Sequence, residues 1–270
     1  MRVSQEPPSG IDTSVPHSAR IWDYWLGGKD NYRADREAGD EVIRHVPGIA
    51  VSARQDRAFL GRAVRLAVSR GIRQFLDLGS GLPTVDNTHE AAQRLAPEAR
   101  VVYVDNDPLV LTHARALLSS HPHGVTEYLQ ADLREPELIL RDAAQTLDLR
   151  EPVALLLLGV LNHILDDDEA RDIVRRLRAP LAPGSLLVIS HTCDHTSDTL
   201  DGEAMRRAVR SVMERGGTPI TARSQAGIAA FFEGTELLEP GVVSCSQWRP
   251  APSAQPPEEV PHFAGVGLIG

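Results

Sequence analysis

Residues 75 to 83, Phe75-Leu76-Asp77-Leu78-Gly79-Ser80-Gly81-Leu82-Pro83, put a carboxylate and two glycines at alternate positions at the end of a short apolar run. About two dozen residues further on, Val101-Val102-Tyr103-Val104 is a second strand-like run and also ends in an acid, Asp105. A strand, a glycine turn, a helix and a second strand capped by an acid form the first half of a nucleotide-binding βαβ unit. The glycines let backbone approach a ligand with no Cβ in the way. A carboxylate at the tip of the second strand can accept hydrogen bonds from ribose hydroxyls.

The spacing narrows the choice of nucleotide. A dinucleotide fingerprint wants a third glycine where this chain has Thr84, preceded by Pro83. The only Gly-Lys pair, Gly28-Lys29, does not fit the spacing of a P-loop. What remains is D-x-G-x-G, which resembles the first motif of class I S-adenosylmethionine-dependent methyltransferases. The resemblance implies that Asp77, Gly79, Ser80 and Gly81 hold the amino-acid end of that cofactor, and that Asp105, with Asn106 beside it, holds the ribose. In such enzymes an acid after the third strand reaches the adenine amino group. Asp132, followed by Leu133, is similar to that position, although Asp also suits an N-cap of a following helix. Gly159, at the exit of a later apolar run, completes the expected cofactor set.

Aromatic residues make up 4% of the chain, yet Trp22, Tyr24, Trp25 and Tyr32 fall within one short stretch. They fit either a helix and Gly27-Gly28 turn folded over a ligand or an amphipathic helix anchored to the core. The segments Ala19-Arg-Ile-Trp-Asp-Tyr-Trp-Leu-Gly-Gly-Lys-Asp-Asn31 and Asp35-Arg-Glu37 are similar to the signature of an actinobacterial S-adenosyl methyltransferase family long catalogued as a domain of unknown function. Further hallmarks follow in order: Asp77 to Thr84, His89 to Gln93, Val102 to Pro108, Phe232-Glu-Gly234, Glu239-Pro-Gly241 and Ala264 to Gly267. Two positions depart from the group's usual pattern, Trp25 and Asp56, and neither lies in a cofactor motif. The resemblance implies a Rossmann-like α/β fold with a seven-stranded, mostly parallel sheet whose last strand is inserted antiparallel. It also implies S-adenosyl-L-methionine as cofactor, S-adenosyl-L-homocysteine as product, and a cap whose Tyr24, Trp25, Asn31 and Tyr32 face the acceptor.

The elements that must position these residues are legible from pattern. Residues 1 to 16 read as an unstructured lead-in, 17 to 72 as a helical cap and 73 to 270 as the cofactor-binding core. Helices are expected at 33–46 and 51–70, the second with Arg54, Arg57, Arg62, Arg65 and Arg70 opposite its apolar stripe. Such a charge run is ordinarily a solvated face; Arg54 and Arg57, nearest the cap, remain candidates for an acidic group. A helix over 85–95 places His89 and Glu90 in its early turns, read as a surface pair. Pro108 opens the next helix, to Ser119. Val153 to Leu158 lacks alternation, as a central parallel strand does, and leads into Gly159-Val-Leu-Asn-His163 at the ligand edge of the sheet. His163 is the candidate proton acceptor.

After the fifth strand, His191, Cys193 and His195 alternate, but no fourth ligand stands at a recognisable spacing and no metal is expected. His191 is assigned instead to the acceptor pocket. Helices at 198–216 and 223–233 precede two closing strands, 242–248 and 262–269.

The chain of 270 residues is 42% hydrophobic and 24% charged, the composition of a globular domain with a proper core. Its formal charge of -9 excludes a broad nucleic-acid footprint. Two cysteines make no disulfide framework and suit a reducing cytoplasm. No run approaches the roughly 20 apolar residues of a membrane span. The reading is a methyltransferase acting on a small molecule. A non-catalytic protein that keeps the cofactor pocket, and an NAD(P)-dependent oxidoreductase, are the alternatives.

Overall fold

The strand Val153–Leu158 (β4) sits at the middle of the molecule, and its first five residues are buried. Unbroken aliphatic side chains let it carry apolar layers on both faces, as central parallel strands do. On one side it pairs in parallel with Gln74–Leu78 (β1), which pairs with Arg100–Asp105 (β2), which pairs with Val125–Gln130 (β3). On the other it pairs in parallel with Leu186–Thr192 (β5). The antiparallel strand His262–Leu268 (β8) follows, edged by the two-residue strands Glu236–Leu237 (β6) and Val243–Ser244 (β7). The order across the sheet is β3-β2-β1-β4-β5-β8-β6, with β7 also on β8. This computed structural model describes residues 12–83, 86–107, 110, 120–253, 255 and 257–270.

The register aligns Leu78 with Val104 and with Leu157, so β1, β2 and β4 end at one level. Chain winding reverses between β1 and β4, which opens a crevice at their carboxyl ends. The ladder runs one bond further at each of three ends: Gly79 N–H donates to Val104 O at 2.8 Å, Ala131 N–H to Asp105 O at 3.2 Å and Gly159 N–H to Ser190 O at 2.9 Å.

Helices Ser18–Trp25 (α1), Arg33–His45 (α2) and Ile49–Ser69 (α3) precede the sheet; Thr88–Leu95 (α4), Pro136–Ala143 (α5), Asp167–Arg178 (α6), Gly202–Glu214 (α7) and Gln225–Ala229 (α8) punctuate it. Their starts follow from side chains. Asn87 and Glu90 form a capping box on α4, so that helix begins at Thr88 and not at 85. Asp166 accepts Glu169 N–H at 2.8 Å, with Asp167, Asp168 and Glu169 in the first turn of α6.

Two apolar clusters flank the sheet, and a third lies apart. In it Ile21, Val42 and Ile49 of the N-terminal helices meet Met205, Ala208 and Val212 of α7. Helix α7, inserted after β5, therefore completes the roof that the first three helices begin.

Several expectations are corrected. The strand expected over 242–248 shrinks to Val243–Ser244 because a 3-10 turn, Cys245–Gln247, follows at once. The short β6 pairs with β8 before it and had no pattern of its own. The helix expected over 223–233 is α8 followed by a 3-10 turn. Arg62 is not part of a solvated face: its guanidinium donates to Trp248 O at 2.7 Å and Cys245 O at 2.5 Å, tying α3 to the C-terminal segment. The lead-in up to Ile11, Thr84 and the expected helix from Pro108 to Ser119, except for Val110, lie outside the described residues.

Candidate active site

A cavity of about 500 Å³ opens over the carboxyl ends of β1, β2 and β4 and runs beneath α1 and α7. The glycine turn forms one end. Gly79 has φ +72, and a Cβ there would collide with Val160, so the turn after β1 packs directly on the turn after β4. Gly81 N–H donates to Asp105 Oδ2 at 3.0 Å, while Asp107 N–H donates to Asp105 Oδ1 at 3.0 Å. Asp105 thus holds the loop and keeps lone pairs on both oxygens for further donors. Burial pushes its carboxyl up, against the pull of those two N–H groups.

Asp77 lies deeper, 5% exposed, and accepts Thr88 Oγ1–H at 2.6 Å. Burial raises its carboxyl to about 6, against the Thr88 hydrogen bond and the nearby Arg57. A deep carboxylate beneath a turn of backbone N–H groups suits a zwitterionic ligand end. Asp77, Gly79, Ser80, Gly81, Asp105, Asn106, Asp132, Leu133 and Gly159 all line the cavity, so the structure brings the whole expected cofactor set together. Asp132 Oδ1 accepts Arg134 N–H at 2.9 Å. It caps a turn and not α5, whose N-cap is Glu135.

His163 also lines the cavity, in a 3-10 turn, Leu161–His163. Its Nδ1 is 3.2 Å from Pro219 O, so Nδ1 carries the proton and Nε2 is left as the basic nitrogen. Desolvation holds its pKa below the usual imidazole value, so the ring is neutral at pH 7.

The cap divides. Trp25 borders the cavity as expected, and Trp22 joins it, the two rings edge to face at 5.8 Å. Tyr24, Asn31 and Tyr32 do not line it. Tyr24 Oη–H donates to Asp40 at 2.7 Å on the outer side. Asn31 Nδ2 donates to Asp23 at 2.9 Å. Tyr32 starts α2 and lies under the Arg20 guanidinium, 5.3 Å from ring centre. Asp35, wholly buried, organises these parts: it accepts from His17 N–H, Arg20 Nε–H and Tyr32 N–H at 2.8 to 3.0 Å. The Gly27-Gly28 turn closes on Asp23 so tightly that a Cβ on Gly28 would overlap its carboxylate. A buried Asp can serve backbone donors as well as a ligand, and the sequence pattern does not separate the two.

His191 is also corrected. It is fully buried outside the cavity lining, with Nδ1 at 2.7 Å from Thr192 O and Nε2 at 2.7 Å from Arg223 Nη1. Burial, helped by Arg223, drives its pKa to about 3, so it accepts from Arg223 as a neutral ring. Arg223 in turn donates to Leu161 O at 3.0 Å and Ile164 O at 2.6 Å, and its Nε to Asp167 at 2.7 Å. This hidden network fixes the turn that presents His163. Cys193 is buried, and burial pushes its thiol up to about 12. Among the described residues no three His, Cys, Asp or Glu side chains converge as a metal site.

Other sequence candidates fall elsewhere. Arg57 lines the cavity near Asp77, whereas Arg54 is exposed. His89 is buried, its Nδ1 at 2.9 Å from Tyr103 Oη, and Glu90 serves the capping box, so neither forms a surface pair. Several cavity residues had no motif to mark them, among them Met205, Val209 and Pro219, and Asp56 stood out only as a departure from the family pattern.

A doubly wound sheet with an antiparallel strand beside β5, a glycine turn after β1 and acids at the ends of β1 and β2 defines a class I methyltransferase fold. The S-adenosyl methyltransferase family model matches residues 4–270, and the chain belongs to that family. It is an S-adenosylmethionine-dependent methyltransferase. It resembles a DUF574 family protein from Streptomyces avermitilis, with 43% identity over 96% of this chain and 99% of that one and a TM-score of 0.88. It is similar to a candidate methyltransferase from Thermobifida fusca, with 42% identity, 98% and 99% coverage and a TM-score of 0.87. Human N-acetylserotonin methyltransferase shares the fold alone, at 13% identity over 93% of this chain and 67% of that one, TM-score 0.50. No curated protein matches the chain in sequence. No described helix is long and apolar enough to cross a membrane.

Proposed function

We propose that the chain methylates a small-molecule acceptor, held under the α1–α7 roof against the cofactor end of the cavity. The observation that carries this reading is the single cavity of about 500 Å³ that the glycine turn and the cap helices line together. That size is in the range of small-ligand sites, and its floor fits the cofactor. Asp105 would hold the ribose hydroxyls, Asp132 and Leu133 the adenine, and Asp77 the amino-acid end. When bound, S-adenosylmethionine supplies a methyl group already activated by its sulfonium.

The protein's part is to align the acceptor with that methyl and to exclude water. The residues 17–72, with α7, act as the lid. Where the acceptor must lose a proton, His163 Nε2 takes it: the ring is neutral, and Pro219 O fixes its tautomer. The test uses methyl-labelled S-adenosylmethionine and the purified protein, with a cell extract split by size. Label in the small-molecule fraction is expected. Label confined to protein or nucleic acid contradicts the reading.

A further inference from the structure

Beyond the cofactor end much of the cavity wall is apolar: Ile21, Trp25, Leu60, Met205, Val209 and Ile220 are typical of it. Polar residues interrupt it, among them Arg57, Asn162, Thr192 and Asp56. Asp56 is 6% exposed, borders the cavity, and its buried Oδ1 has no hydrogen-bond partner. The nearest cation-capable group is His262 Nε2, at 3.6 Å from Oδ1, beyond hydrogen-bond reach. His262 is itself buried and lies 3.3 Å from Ser190 Oγ; burial keeps it below the usual imidazole pKa, hence neutral at pH 7. The Trp22 ring lies over His262, with centroids 5.5 Å apart. A carboxylate held in an apolar wall without a donor is costly. In the open cavity water can meet this carboxylate, and once an acceptor displaces that water the donor must come from the acceptor.

We propose that Asp56 is the acceptor-recognition residue of this methyltransferase, and that the acceptor is an aromatic or other apolar ring compound carrying a hydroxyl that donates to Asp56. The apolar walls and the two indoles supply the ring's contacts. The neutral imidazole behind Asp56 lies too far to donate to Oδ1, so the donor's place at that oxygen is left to the acceptor. The inference rests on the small-molecule reading above and names the chemistry of the molecule.

The test uses protein saturated with S-adenosylhomocysteine and two matched probes, 2-naphthol and 2-methoxynaphthalene, titrated calorimetrically. The ether keeps the ring and removes the donor. Wild type should bind the naphthol about tenfold to a hundredfold more tightly, the effect of a hydrogen bond to a charged group. Asp56→Leu should bind the two probes alike, and Asp56→Asn should show an intermediate preference. Unchanged S-adenosylhomocysteine affinity and an unchanged circular dichroism spectrum show that each variant is folded. Equal affinities in wild type, or a preference that persists in Asp56→Leu, would overturn the proposal while leaving the methyltransferase intact. Failure of S-adenosylhomocysteine itself to bind would instead count against the cofactor site.

Discussion

Replacing Asp77 by Asn should change how stability depends on pH. In the folded chain burial raises the Asp77 carboxyl from 3.8 to about 6. A carboxyl whose pKa is higher folded than unfolded binds its proton more tightly in the native state. Its contribution is therefore fully present below about pH 4 and is lost as pH rises through about 6. A shift of about two units corresponds to about 3 kcal/mol. Asn cannot ionise and keeps an oxygen for the Thr88 hydroxyl. Denaturant unfolding of both ligand-free proteins at pH 4 and pH 8 isolates this difference. The stability of Asp77→Asn relative to wild type should rise by about 2.5 kcal/mol between the two pH values, because part of the effect is already lost at pH 4. The same variant should bind S-adenosylhomocysteine more weakly at pH 8, because a charged carboxylate under the glycine turn favours the ligand's ammonium. A relative stability that is flat across this range would show that Asp77 is ionised at little cost, and the argument from burial would be wrong.

Other substitutions separate the parts of the site. Asp105→Ala removes both the proposed ribose acceptor and the partner of Gly81 N–H; calorimetry should show cofactor affinity lowered at least tenfold with the circular dichroism spectrum unchanged. Tyr24→Phe should leave cofactor binding and turnover untouched, since its hydroxyl meets Asp40 outside the cavity, whereas Trp25→Ala should raise the KM for the acceptor. His163→Gln should lower kcat about a hundredfold or more without weakening S-adenosylmethionine binding, if the acceptor loses a proton in the step. Arg223→Met leaves Leu161 O and Ile164 O without their donor and should destabilise the fold by about 3 kcal/mol, measured by urea unfolding.

The turn and strand ends proposed as the cofactor floor could be read in the chain because their constraints are local. A glycine with positive φ, an acid at a strand end and an unbroken apolar strand each leave a mark within a few residues. The strands β1, β2 and β4 appear where the pattern puts them, to within two residues. The roof was less legible, since its parts come from distant segments. Aromatic side chains at Tyr24 and Tyr32 are spent on Asp40 and on Arg20, contacts that depend on how α1 meets α2. Helix α7 reads as an ordinary amphipathic helix, and only its packing against Val42 and Ile49 joins it to the N-terminal helices. His191 misled for a similar reason. A strand-exit His faces the crevice or the opposite layer by parity, and here β5 runs to Thr192, which turns His191 onto Arg223. Asp56 lies within a helix whose arginines dominate the pattern, so its place on the cavity and its unpartnered Oδ1 emerge only in three dimensions.

The most direct test of the account is a crystal structure of the protein with S-adenosylhomocysteine. The account predicts the ribose hydroxyls within hydrogen-bond distance of Asp105, the adenine beside Asp132 and Leu133, and the sulfur facing the space between His163 and Trp25. A ligand bound with its ribose away from Asp105, or outside this cavity, would contradict it.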